Sequence, residues 1–100
     1  MAYKTTYPFT GEVLKKYDNA TDADLEQALE TGHQLYQTWR NSPVAKRAQD
    51  LQKIADLMKD RKEDLAKAMT YDMGKLLTEA QGEVDLCIGI VEYYAKNGEK

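Results

Sequence analysis

Cys87 is the only cysteine and His33 the only histidine in this chain of 100 residues, so thiol and imidazole chemistry have one candidate each. A catalytic thiol needs an electropositive, partly exposed setting that lowers its pKa. Cys87 instead sits among Leu86, Ile88 and Ile90 on an apolar stripe, and packing is its expected role. A single cysteine excludes an intrachain disulfide and fits a reducing compartment, the cytoplasm. His33 lies between Gly32 and Gln34 without a cysteine or aspartate partner at ligand spacing, so no metal site is expected. Glu79 and Glu83 stand one helical turn apart, a spacing open to a general acid and base. Carboxylates so placed are ordinarily solvated or complement helix N-termini, and no catalytic role is assigned to them. Gly74 and Lys75 lack the glycine spacing of a phosphate loop or a dinucleotide fingerprint. Gly74 reads as a left-handed helix stop, with Lys75 as a favourable cation beside a helix C-terminus. Residue type and spacing thus yield no catalytic, cofactor-binding or metal-ligating residue.

The bulk properties narrow the partners. Hydrophobic residues make up 42% and charged residues 31%, the balance of a soluble globular protein, and the length allows one small domain. A net charge of −3 argues against nucleic acid or an anionic membrane, both of which demand a basic surface. The apolar run Leu86 to Val91 is far too short to span a bilayer, and the N-terminus lacks the apolar core of a signal peptide.

The elements that would carry these residues fall into two regions. Residues 1–20 are rich in β-formers and contain the turn Pro8-Phe9-Thr10-Gly11, which predicts a hairpin of residues 3–8 with 12–18. Residues 21–100 follow a helical period, so the predicted fold is mainly α, about four helices after an N-terminal β-hairpin. Thr21 and Asp24 form a capping box for the first helix. Its apolar face is Leu25, Ala28, Leu29, Gly32, Leu35, Tyr36 and Trp39, and Trp39 is expected to pack on the second or fourth helix. Ser42 is expected to cap the second helix, with Pro43 at its first position. The third helix starts near Lys62 and turns Leu65, Ala68, Met69 and Met73 inward. The fourth runs from about Leu77 to Lys96 with two apolar stripes, one of Ala80, Val84, Cys87, Val91 and Tyr94, the other of Leu86, Ile90 and Tyr93. A helix apolar on several sides is buried on several sides, and the three preceding helices cover only part of it. The isolated chain is therefore expected to self-associate through Leu86, Ile90 and Tyr93.

The stretch from Tyr71 to Val84, with Gly74, Lys75, Glu79, Ala80, Gly82, Glu83 and Val84 in order, resembles a signature near the start of aldehyde dehydrogenases. Pro8, Thr10, Gly11, Glu12 and Val13 look like the family's opening, with Tyr7 in place of its usual asparagine. Trp39-Arg40, then Arg47, Leu51, Ala55 and Leu57, then Tyr93, Tyr94 and Ala95 follow in the family's order, so the resemblance covers nearly the whole chain. Met73-Gly74-Lys75, Leu86-Cys87 and Tyr94, Ala95 and Gly98 look most like succinate-semialdehyde dehydrogenases.

The resemblance implies an N-terminal fragment of the α/β aldehyde dehydrogenase fold, with residues 21–100 part of the nucleotide-binding domain. It implies a parent enzyme that oxidises an aldehyde, succinate semialdehyde first, with NAD or NADP, and that assembles as a homo-oligomer. The family's nucleophile and nucleotide-binding strands lie beyond this region, so the chain alone is expected to be inactive and to bind no cofactor, and the remainder of the enzyme is its first partner. By position, Gly82, Leu86 and Ile90 are the candidates to line the substrate tunnel. The alternative is a free-standing helical module for oligomerisation or binding, without catalysis.

Overall fold

The computed structural model describes residues 3–100. Strands β1 (Tyr3–Thr6) and β2 (Val13–Tyr17) precede helices α1 (Asp22–Trp39), α2 (Val44–Asp60), α3 (Lys62–Met73) and α4 (Leu77–Asn97). The mainly α architecture behind an N-terminal hairpin is as the sequence predicts. The strands pair antiparallel, Tyr3 opposite Tyr17 and Lys4 opposite Lys16, with a bulge between Thr5 and Thr6. Their turn closes through the Tyr7 N–H donating to the Glu12 carbonyl and the Gly11 N–H to the Tyr7 carbonyl, each at 2.8 Å.

α1 starts on the predicted capping box. The Asp24 N–H donates to Thr21 Oγ1 at 3.1 Å, and the Thr21 N–H donates to Asp24 Oδ2 at 3.0 Å. The hydrogen bond from the Thr21 backbone, then that with its hydroxyl, holds the Asp24 carboxyl below its ordinary value of 3.8. A carboxyl depressed in the folded state adds stability that is complete above its unfolded pKa and is lost as pH falls through the folded one. The first turn of α1 is expected to fray only below about pH 4. A carbon-detected NMR titration of Asp24 checks this. Its midpoint should rise part of the way toward the ordinary value in Thr21→Ala, which removes the hydroxyl and keeps the backbone N–H, and a midpoint indifferent to that change refutes the side-chain half of the box.

Two sequence expectations about helix ends meet different fates. Gly74 does end α3, at φ 72° and ψ 17°, its N–H donating to the Thr70 carbonyl. Pro43, expected at the first helical position, is instead the N-cap of α2 at φ −55° and ψ 146°. Its carbonyl accepts from the N–H groups of Lys46 and Arg47. Ser42 is therefore one residue too early to cap the helix with its side chain, and its N–H closes the turn leaving α1 by donating to the Trp39 carbonyl at 3.0 Å.

The core lies where α4 packs against α2 and α3. Ala55 of α2, Ala66 of α3, and Ala80, Val84 and Ile88 of α4 are buried, with Met58, Met69 and Val91 packed around them. Three alanines at the crossings let the helix backbones approach closely. The buried stripe of α4 therefore runs through Ile88, while Cys87 is half-buried and Tyr94 exposed. On α3 the inward residue is Ala66, while Leu65, Ala68 and Met73 face out. Of the inward residues expected on α3, Met69 does pack on the core, while Ala66 takes the place expected for Leu65 because the smaller side chain fits the narrow crossing.

α1 departs most from expectation. Every residue of it is exposed, including Leu25, Leu29, Leu35 and Tyr36. It lies against no other described element along its length. The radius of gyration, 17.6 Å, accordingly exceeds the roughly 13 Å of a compact domain this size. The hairpin, by contrast, docks on the end of α3. Tyr7 meets Tyr71 edge-on with ring centroids 5.1 Å apart, and Pro8 lies directly over Gly74.

Candidate functional site

α4 carries Gly82, Leu86 and Ile90 at successive four-residue steps, one helical face. All three are exposed, with Leu86 64% and Ile90 50% accessible, and Tyr93 continues the face. A Cβ added at Gly82 or Gly89 would meet nothing within 4 Å. The smallness of these glycines therefore serves no packing among the described residues.

The polar flanks of α4 tie it to its neighbours. Lys62 Nζ lies 2.8 Å from Asp85 Oδ2, and Lys59 pairs with Glu92. Gln81 Nε2 donates to both Glu63 carboxylate oxygens at 3.1 Å. Lys75, expected as a cation at the end of α3, reaches across to Glu83 instead. The Glu83 hydrogen bond raises the Lys75 pKa above its usual 10.5. Glu83 is thus engaged by an ammonium while Glu79 stays exposed, so the two do not form an isolated acid–base pair.

The other chemical candidates are equally plain. His33 Nε2 lies 3.0 Å from Gln37 Nε2, an exposed contact one turn along α1. Among the described residues no group of His, Cys, Asp or Glu side chains could hold a metal ion. Among the described residues the strands form one antiparallel hairpin, without the parallel strand–turn–helix unit that receives a pyrophosphate in doubly wound folds. No described helix is long and apolar enough to cross a membrane.

A feature not singled out from the sequence is a groove of about 330 Å³ where the end of α1 meets the start of α2 and the last turn of α4. Trp39, Val44, Arg47, Leu51, Tyr94 and Gly98 line it. Trp39 does reach α2, as expected, through its Nε1, which donates to Asp50 Oδ2 at 3.3 Å. Yet it remains 41% exposed, because α1 lies against nothing that could close over it. Asp50 is held below the usual carboxylate range, first by its hydrogen bond from Lys46 and then by the indole. The Arg47 guanidinium stands 5.9 Å from the Trp39 ring centre, and its Nε is buried with no hydrogen-bond partner. The sequence signal for this site was an aromatic and an arginine flanking the Asn41-Ser42-Pro43 turn, a pairing visible only once the turn geometry is known.

Comparison with known proteins places the chain. The sequence profile described as the aldehyde dehydrogenase family matches residues 1–100. The chain is 38% identical over 96 residues to a succinate-semialdehyde dehydrogenase [NADP(+)] of Deinococcus radiodurans, covering 96% of this chain and 20% of that protein. It is 36% identical over 88 residues to a malonate-semialdehyde dehydrogenase of Bacillus pumilus, covering 88% of this chain and 18% of that one. The crystal structure of a succinate-semialdehyde dehydrogenase from Burkholderia pseudomallei superposes with a TM-score of 0.87 at 30% identity, covering 98% of this chain and 20% of that one. The chain spans about a fifth of the length of the curated relatives it matches. With its hairpin and four helices matching that structure and its whole length matching the profile, this chain belongs to the aldehyde dehydrogenase family.

Proposed function

We propose that this chain is the N-terminal segment of an NAD- or NADP-dependent enzyme that oxidises succinate semialdehyde to succinate, and that it is inactive by itself. The observation that carries the reading is the 38% identity, across 96% of the chain, to a succinate-semialdehyde dehydrogenase about five times as long. In this reading residues 1–20 form the hairpin unit and residues 21–100 join the nucleotide-binding domain of a cytoplasmic homo-oligomer. The nucleophile and the NAD or NADP site belong to residues outside this chain. Malonate semialdehyde is the second substrate, supported by 36% identity to the Bacillus pumilus enzyme.

Gly82, Leu86 and Ile90 line the substrate tunnel in this proposal. Two observations support the assignment: the face is exposed, and no described residue comes within 4 Å of a Cβ placed at Gly82. The alternative, a free-standing module that oligomerises through the same face, draws on the exposure of Leu86, Ile90 and Tyr93.

The test pairs the intact mass of the natural gene product with an assay of nicotinamide reduction on both semialdehydes. A product several times this length that turns over a semialdehyde, beside a silent 100-residue chain, is expected. Turnover by the short chain, abolished in Cys87→Ala, would sink the proposal.

A further inference from the structure

We propose that the groove beside Trp39 and Arg47 is the docking site for an extended polypeptide segment from the rest of the longer protein. That segment inserts an apolar side chain and brings an acceptor oxygen, carboxylate or carbonyl, to Arg47. This rests on the reading of the chain as part of a longer enzyme.

The volume of about 330 Å³ sits at the lower end for ligand pockets, roughly 300–1,000 Å³, and suits one large side chain. Its walls are carbon-rich, with Arg47 the one charged residue among them. Lys46, Lys59, Lys62 and Lys75 each pair with a carboxylate, whereas Arg47 has no ion pair among the described residues. A buried donor without an acceptor is costly, and the Trp39 ring offers the guanidinium a π-face but no oxygen for Nε. Rotation of the Arg47 side chain toward the groove presents Nε and a terminal nitrogen together, the fork that a carboxylate accepts.

The exposed apolar face of α1 argues for a chain-like occupant over a compact small molecule. Leu25, Leu29, Gly32 and Tyr36 extend from the groove on the same face as Trp39, all of them exposed. About four fifths of a relative's length lies outside this chain, ample polypeptide to lie along it. One segment seated there would satisfy Arg47 and also fix the angle of α1, which the groove alone tethers.

Hydroxyl-radical footprinting of Trp39, the only tryptophan of the chain, tests the proposal. Its oxidation is expected to be severalfold slower in the natural full-length protein than in the 100-residue chain. Arg47→Met should restore much of that reactivity in the long protein and change little in the short one. Arg47→Lys, which keeps charge but loses the fork, should fall between them and serves if Arg47→Met misfolds. Equal rates in the two proteins overturn the proposal, as does protection that both Arg47 variants leave intact. Protection of the short chain that grows with its concentration assigns the groove to a second copy and overturns it too. A natural product of only 100 residues, read by intact mass, overturns the enzyme reading itself.

Discussion

Val84→Asp is expected to abolish cooperative unfolding of the helical unit. Val84 is 1% exposed and is the largest fully buried side chain, one turn from both Ala80 and Ile88 on α4. Aspartate is close to valine in size, so the change tests charge more than shape. Burying an unpaired carboxylate carries an effective penalty of several kcal/mol. A core this small supplies only about 3–5 kcal/mol in all, so the penalty is comparable to the whole. Thermal melting followed by circular dichroism should show no sigmoidal transition at neutral pH. Acidification, which neutralises a carboxyl whose burial raises its pKa, should recover part of the helix signal. Val84→Ala, which leaves a void without a charge, should keep a transition at a lower midpoint. A cooperative melt of Val84→Asp near that of the parent chain would show that α4 does not pack on α2 and α3 as described.

Gly74→Val is expected to release the hairpin from the helices. At φ 72° a residue with a Cβ costs roughly 1–2 kcal/mol, and a β-branched side chain more. The new Cβ would also stand 3.3 Å from Pro8 Cβ, a tight approach at the point where the hairpin turn rests on α3. Relieving both strains means fraying the last turn of α3, which carries Tyr71 and hence the edge-on contact with Tyr7. NMR should show the Tyr7 ring resonances moving to their unfolded positions while the Val84 methyls keep native shifts. Gly74→Asn, whose side chain tolerates the left-handed region better, should do less harm. Native Tyr7 shifts in Gly74→Val would mean that this junction does not hold the hairpin.

Local chemistry made some features readable from the sequence. The Thr21–Asp24 box, the stop at Gly74 and the turn from Pro8 to Gly11 each depend on a few adjacent residues, so short-range rules sufficed. Burial was harder. The α4 stripe was placed through Cys87 and Tyr94 when it runs through Ile88, and the α3 face was placed on Leu65 when it is Ala66. On α3 the neighbouring helix makes the choice, its close approach favouring Ala66 at the crossing over the larger Leu65 beside it, whereas on α4 it is the helix phase, four residues on from Val84, that turns Ile88 inward and leaves Cys87 half-buried. The face of α1 was read correctly as apolar and wrongly as covered, because periodicity says which side is greasy and nothing about what lies against it. Of the candidate site, the alignment of Gly82, Leu86 and Ile90 follows from helical spacing alone. Their role came only from resemblance, and the Trp39–Arg47 groove escaped notice because three separate elements build it.

The buried core draws on α2, α3 and α4, which follow one another without interruption. Among the described residues, nothing upstream of Val44 and nothing beyond Asn97 contributes to it. The main contact, α2 on α4 across the short α3, closes a loop of modest length and so forms quickly, and synthesis proceeds at only about 5–20 residues per second. In a polypeptide several times this length, the three-helix unit would close while most of the chain was still to be translated. The nascent protein would then hold a finished platform early, with the greasy sides of α1 and α4 still open to chaperones until later segments arrive.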